Sequence, residues 1–309
     1  MGFCLKKPGI SCFVLTMAKL GFFCFLFFSA PSYSETSVLA VMSSEGKIYQ
    51  KFYSSLKNKL HENLVLSQTT PDMIHSEVLD KYDLIISVGN NATRAVSEYK
   101  STATVIYSLI PDNTHLTTSN PCRSDKCYKV YINQPINRFI KLYKMLFPGN
   151  GTLVFVITKP NTIQSQRLRT SSRKFGINYK EIELSENSNI ARTLIHKLNK
   201  NDVLLALPNP QIYNKNNAKS IILSTYHKNV PIIAYSKSFA KAGALVSLYS
   251  NIDNIAEETA NLANKISSTG QQKQKEYYPE NFSVDINSAV SESLNLNITP
   301  KNEIMRKIK

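Results

Sequence analysis

Histidine and cysteine, the usual ligands of transition metals, are scarce in this sequence, with five of each among 309 residues. His61, His75, His115, His196 and His227 share no metal-ligand spacing, so no metal site is expected. Cys4, Cys12 and Cys24 fall in the first 34 residues, leaving only Cys122 and Cys127, in "NPCRSDKC", for the body of the chain. No His-Glu-x-x-His, P-loop or Gly-x-Ser-x-Gly signature occurs, which removes three common routes to hydrolytic or phosphoryl-transfer chemistry. "SFAK" (238–241) has the Ser-x-x-Lys spacing of serine acylases, but no Ser-Asp-Asn or Lys-Thr-Gly partner follows it. Neither an enzyme nor a cofactor is expected.

Acidic residues are also few, 22 against 37 lysines and arginines, for a net charge of +15. The excess is scattered among Asn, Ser and Lys and forms no arginine-rich stripe, so a solvated basic surface is expected and nucleic-acid binding is not. No stretch after residue 30 approaches 18 apolar residues. Membrane contact is therefore expected only through a partner. The one long apolar run, "LGFFCFLFFSA" (20–30), follows Lys19 and precedes the small residues of "APSYSE". That is the layout of a cleavable signal peptide ending near Ser34, with Met17 as an alternative start and uncleaved anchoring as the alternative fate. Export to the periplasm follows, and there Cys122 and Cys127 most simply form a local disulfide.

From residue 38 onward, strand-like and helix-like stretches alternate. "VLAVMS" (38–43), "NLVLSQ" (63–68), "DLIISVG" (83–89) and "ATVIYSL" (103–109) read as strands; helices are expected at 46–60, around 71–80 and from Asn90. Residues 110–134 break the rhythm, and "PINRFIKLYKMLFP" (135–148) restarts it as a helix. Strands at 152–158, 178–184, 202–207, 230–235 and 243–250 then alternate with helices at about 162–174, 187–199, 211–227 and 251–266, and "FSVDIN" (282–287) is a last strand. Two such series predict an α/β chain of two doubly wound lobes, with no sequence repeat between them.

Ligands of such sheets sit outside the carboxyl ends of the strands. Three ends are notable: Gly89-Asn90-Asn91, opening a helix whose free amides favour an anion; Asn209, held between Pro208 and Pro210 in "DVLLALPNPQIYN"; and Tyr235-Ser236 after "VPIIA". Each also has a structural reading. Asn90 or Asn91 fits a helix cap, Asn209 an Asx-turn, and Tyr235 the core.

"VPIIAYSKSFAKAGALVSLYSNIDNIAEETANLANKI", "DLIISVGNNATRAV" and "SVDINSAVSESLNLNITP" together resemble bacterial substrate-binding proteins of ABC importers, in the group that includes tryptophan- and tyrosine-binding members. A subgroup with a Cys pair before Gln-Pro resembles the chain at Cys122, Cys127, Gln134-Pro135 and Tyr213-Asn214. The resemblance implies a periplasmic-binding-protein-like fold of type I. Residues 35–130 plus 249–309 would form lobe 1 and residues 131–248 lobe 2, with strands near 129–133 and 243–249 crossing between them and Gly243 as a flexible entry. It further implies that the lobes close around a small polar ligand, an amino acid or another carboxylate. Gly89, Asn90 and Asn91 would act from one lobe, Asn209, Tyr235 and Ser236 from the other, and Tyr107-Ser108 would close one side. The partner is then an ABC permease, or a receptor domain if the protein is a ligand sensor or docking module; a lobe pair without ligand is a third reading. "SLIPDNTHLTTSNPCRSDKC" departs from the amino-acid-binding members, whose corresponding loop is Gly-rich.

Overall fold

A computed structural model of the chain describes residues 1–2, 35–112, 126–149, 151–158, 162–185 and 188–309. Residues 3–34, where a signal peptide is expected, and Cys122 lie outside the described residues, and the expected disulfide with them. The first half contains β1 (Thr36–Met42), α1 (Lys47–Lys57), β2 (Leu64–Thr69), α2 (Ser76–Leu79), β3 (Leu84–Val88), α3 (Asn90–Glu98), β4 (Thr104–Ile110) and β5 (Cys127–Tyr131). The second contains α4 (Ile136–Leu146), β6 (Thr152–Ile157), α5 (Ile163–Phe175), β7 (Tyr179–Glu183), α6 (Ile190–Lys197), β8 (Asp202–Leu205), α7 (Lys215–His227), β9 (Ile232–Ala234), α8 (Lys237–Ala242) and β10 (Val246–Tyr249). The chain ends with α9 (Ile252–Thr269), β11 (Glu276–Tyr277), β12 (Ser283–Ile286), α10 (Ser288–Ser293) and α11 (Lys301–Ile308).

Two six-stranded sheets result, in the orders β2-β1-β3-β4-β5-β11 and β7-β6-β8-β9-β10-β12. All pairings are parallel except that of β12 with β10. Each half thus repeats the doubly wound 2-1-3-4-5 order, whose switch point lies between its first and third strands. Strand alternation explains the layering. Val38 and Ala40 of β1 pack with Phe52, Leu56 and Ala260 on one face, while Leu39 and Val41 pack with Ala92 and Val96 on the other. In the second sheet, Leu153 and Phe155 face Ile140 and Ile304, and Val154 faces Leu194 and Ile221. Burying each such Leu, Ile or Phe contributes roughly 1.5–3 kcal/mol. Covered on both faces, β3 and β8 are buried at every position.

The path of the chain between the two sheets differs from the sequence reading. The segment 249–309 does not stay in the first half: α9 and β11 do, but β12 joins the second sheet beside β10, and α11 packs on α4. Among the described residues, no strand is shared by the two sheets. The chain crosses instead through the short stretches 132–135, 250–251 and 278–282, after β5, β10 and β11. Gly243 ends α8 with φ 128°, and a Cβ there would meet Ile222 Cγ2 at 2.9 Å, so this glycine serves packing. β5 overlaps the strand read near 129–133, and its first residue, Cys127, is buried. α8, α10 and β11 are too short for a periodic signal, and α11 carries one only in Ile304 and Ile308, four residues apart.

The crossings are tied to one another. Gln134 Nε2 donates to Ser250 Oγ at 2.6 Å, and Ser250 Oγ donates to the Asn281 carbonyl at 2.5 Å. Arg138 on α4 reaches Gln134 Oε1 and also donates to the Pro279 carbonyl, with its guanidinium 4.3 Å from the Phe282 ring centroid. One residue from each crossing therefore enters a single network. Gln134 is 2% exposed, so its amide has no water to exchange for these partners.

Candidate functional site

A cleft of about 430 Å³ opens where the carboxyl ends of the two sheets face each other, within the usual size range of small-molecule sites. Gly89, Asn90 and Asn91 line it from the first half, and Tyr235 and Ser236 from the second. The geometry therefore brings five of the eight residues singled out in the sequence into one hollow.

The first wall is built at its sheet's switch point. Ser43 directly follows β1 and Gly89 directly follows β3. Ser43 Oγ accepts from the Ala92 N–H at 2.9 Å, capping α3 from outside the helix. Gly89 has φ 86°, and a Cβ there would lie 2.8 Å from both Ser43 Oγ and the Tyr49 hydroxyl. Only glycine lets these two side chains close over the start of α3. Among the described residues, the Asn90 and Asn91 backbone N–H groups have no acceptor. They are two of the amides that a helix start leaves unpaired, carrying the positive end of its dipole into the cleft.

The second wall is aromatic and basic. Tyr235 packs against Phe239 (ring centroids 5.6 Å apart) and Tyr213 (6.3 Å). Its hydroxyl donates to the Tyr213 carbonyl at 3.4 Å, and burial pushes its phenol up. Ser236 caps α8 through Phe239 N–H at 3.4 Å, so its hydroxyl is already committed as an acceptor. Exposed Lys237 follows it into the lining. Tyr249 donates to Asp285 Oδ2 at 2.8 Å, and burial first, then Asp285, pushes its phenol up to about 12. Its oxygen retains acceptor capacity toward the cleft.

Three residues from the sequence reading stand elsewhere. Tyr107 is 1% exposed and packs in the core with Ala92 and Val96, while Ser108 is buried on the opposite face and shares a 2.7 Å hydrogen bond with Thr259. Both still belong to the regular strand. The chain turns toward the cleft one residue later, where Leu109 adopts φ 57° at a register shift and enters the lining with Pro111. Such a non-glycine outlier costs roughly 1–2 kcal/mol, and here it re-aims the strand end. Asn209 makes the Asx-turn, its Oδ1 accepting from Gln211 N–H at 3.0 Å, and it is Pro208 that lines the cleft.

The sequence reading missed Tyr49, Lys237, Asn133, and the apolar floor of Ile132, Ile252 and Ile255. Asn133 lay in a stretch without periodicity. Lys237 follows Ser236 directly, and the strand-end rule that found Ser236 had only to be extended by one residue. Ser238 and Lys241 of the Ser-x-x-Lys stretch fall within α8, outside the lining. Among the described residues, no group of three or more His, Cys, Asp or Glu side chains is placed to hold a metal ion, and no helix is long and apolar enough to cross a membrane.

Solved structures repeat this architecture. A ligand-free, open substrate-binding protein with adhesive properties from Clostridium difficile matches with a TM-score of 0.67 at 14% identity, over 87% of this chain and 98% of its own. A Streptococcus pneumoniae ABC domain in complex with L-Trp gives 0.56 at 14% identity, over 88% and 98%. A periplasmic ribose ABC transporter protein from Conexibacter woesei gives 0.52 at 10% identity, over 88% and 97%. At these identities the likeness is one of fold, the periplasmic-binding-protein-like fold of type I. No curated protein matches the chain in sequence. The model of the family described as ABC transporter substrate binding protein matches residues 53–306. Spanning most of the chain, that match makes this protein a member of the ABC transporter substrate-binding protein family, a solute-binding protein and not an enzyme.

Proposed function

We propose that the protein is exported to the periplasm, closes its two halves around a small organic anion, most simply a carboxylate, and delivers it to an ABC permease. The observation that carries this reading is the facing pair of walls: unpaired α3 amides on one side, and Lys237 beside an aromatic cluster on the other, around one cleft. A carboxylate would sit against the Asn90 and Asn91 amides, where the helix dipole favours negative charge. Its apolar body would cover Ile132, Ile252 and Ile255. Because each half supplies only part of the contacts, the ligand is held fully only when both walls engage it, which couples occupancy to closure. The L-Trp complex of the pneumococcal relative is compatible with this chemistry.

Native mass spectrometry of protein released from the periplasm tests the reading. A bound small acid is expected, with occupancy lost in Asn90→Pro, which deletes one of those N–H donors at a helix position that tolerates proline, and in Lys237→Ala. Recovery of a neutral sugar, or unchanged occupancy in both variants, overturns it.

A further inference from the structure

Outside the cleft lining, a charged cluster joins the two halves. Arg167 lies on α5 of the second half. Its Nη1 donates to the Tyr278 hydroxyl at 2.7 Å and to Asp112 Oδ2 at 3.4 Å, and its Nη2 to Glu276 Oε2 at 2.7 Å. Asp112 follows β4 and Glu276 is in β11, both in the first half, and Tyr278 opens the third crossing directly after β11. The other Glu276 oxygen accepts from the Tyr131 hydroxyl at 2.7 Å, and the Tyr131 and Tyr278 rings pack at a tilt of 50° with centroids 5.1 Å apart. The Asp112 side chain is only 3% exposed, and among the described residues Arg167 is the cation paired with it. A buried carboxylate needs that counter-charge.

Two placements give the cluster leverage. Tyr131 immediately precedes the first crossing and Tyr278 opens the third, so any rotation of the halves about the crossings moves Arg167 relative to its partners. Asp112 also donates its backbone N–H to Asn133 Oδ1 at 3.0 Å, and Asn133, itself 4% exposed, lines the cleft. A continuous path therefore runs from the cleft through Asn133 and Asp112 to α5. The planar guanidinium meets three oxygens at once, which a point-charge ammonium cannot do.

We propose that Arg167 is a positioning residue that fixes the spacing of the two halves, and thereby ligand affinity, without touching the ligand. The affinity clause rests on the binding reading above; the spacing clause does not.

Removing Arg167 alone would strand a buried charge, so the test variant is Arg167→Met with Asp112→Asn, checked by circular dichroism for an unchanged fold. Small-angle scattering of the protein is the readout, against a radius of gyration of about 19 Å expected for a compact chain of this length. The radius is expected to rise and the scattering curve to depart from that of the wild type, with Arg167→Lys intermediate. Superimposable curves overturn the proposal. If the double variant does not fold, Glu276→Gln, which keeps the side-chain volume, gives the same readout. Native mass spectrometry of the same preparations tests the second clause: lower occupancy in the variant supports it, and equal occupancy alongside altered scattering overturns it. A wild type that carries no ligand counts against the binding reading, while scattering still decides the spacing.

Discussion

The two halves share a strand order, yet their switch points are built in opposite ways. In the first, β3 passes into α3 across the single residue Gly89, and the helix start is left open toward the cleft. In the second, β8 is followed by residues 206–214 before α7 begins, and Asn214 Oδ1 accepts from both Asn216 and Asn217 N–H, closing that helix start on itself. Pro208 and the Asn209 turn fill the equivalent corner. One topology therefore supplies an open helix start from one wall, and from the other a rigid proline corner with aromatic rings beside Lys237. The asymmetry lies in the strand–helix connections and not in the sheets. A ligand with one anionic end and an apolar body fits such a pair of walls.

Substitution at the two corners is the sharpest way to break this contrast. Gly89→Ala forces a side chain into φ 86° and against Ser43 and Tyr49. Backbone strain alone amounts to roughly 1–3 kcal/mol, so urea unfolding should show a loss of at least that size, with the α3 start displaced. Pro208→Ala frees only an unfolded-state restriction and should cost under about 1 kcal/mol. Equal losses at the two sites would mean that the corners are not differently built.

Ligand contacts come next in size. Asn90→Pro, which removes one of the open N–H donors of α3, and Lys237→Ala should each weaken binding of the co-purified ligand by roughly 1.5–3 kcal/mol in calorimetry, the range for a hydrogen bond to a charged group. Asn209→Ala should leave affinity unchanged and lower stability by about 1 kcal/mol, because its oxygen is already used by Gln211 N–H. Loss of binding in Asn209→Ala would return that side chain to the site. Smaller again is Ser43→Ala, which removes the outside cap on Ala92 N–H and should cost about 0.5–2 kcal/mol of stability. Binding should weaken only as far as α3 frays.

These contrasts also explain what the sequence could and could not reveal. Apolar runs such as "LLAL" and "DLIISV" identify buried parallel strands because no other element accommodates a side chain on both faces so uniformly. The amide donors of α3 were legible because glycine followed by a helix at a strand end has few other uses. Tyr107 and Ser108 were misplaced because strand periodicity contains no sign of the left-handed turn at Leu109 that comes just after them. Arg167 was invisible because a lone arginine on a polar helix reads as solvated surface until Asp112, Glu276 and Tyr278, distant in sequence, are brought against it. Likewise, the alternation of 282–286 announces a strand but cannot say which sheet accepts it.

Protonation separates the two halves in the same spirit, with the smallest expected effect. Burial pushes the Asp112 carboxyl up; Arg167 and Tyr278 pull against it without cancelling, and Glu276 adds to the rise. Folding thus favours its protonated form, and that contribution is complete below the ordinary value of 3.8 and lost as pH rises through the higher folded-state value. For Asp285, in the second half, burial also pushes up, but the Tyr249 hydroxyl and Lys301 outweigh it and hold the carboxyl below 3.8. Its contribution is present above that value and is lost as pH falls through the folded-state value. Urea titrations across acidic pH should therefore move in opposite directions: Asp112→Asn should gain on the wild type as pH rises, and Asp285→Asn should lose. Parallel curves for the two variants would show that the Asp112 charge is fully compensated by Arg167, and that the charged cluster imposes no burial penalty on the first half.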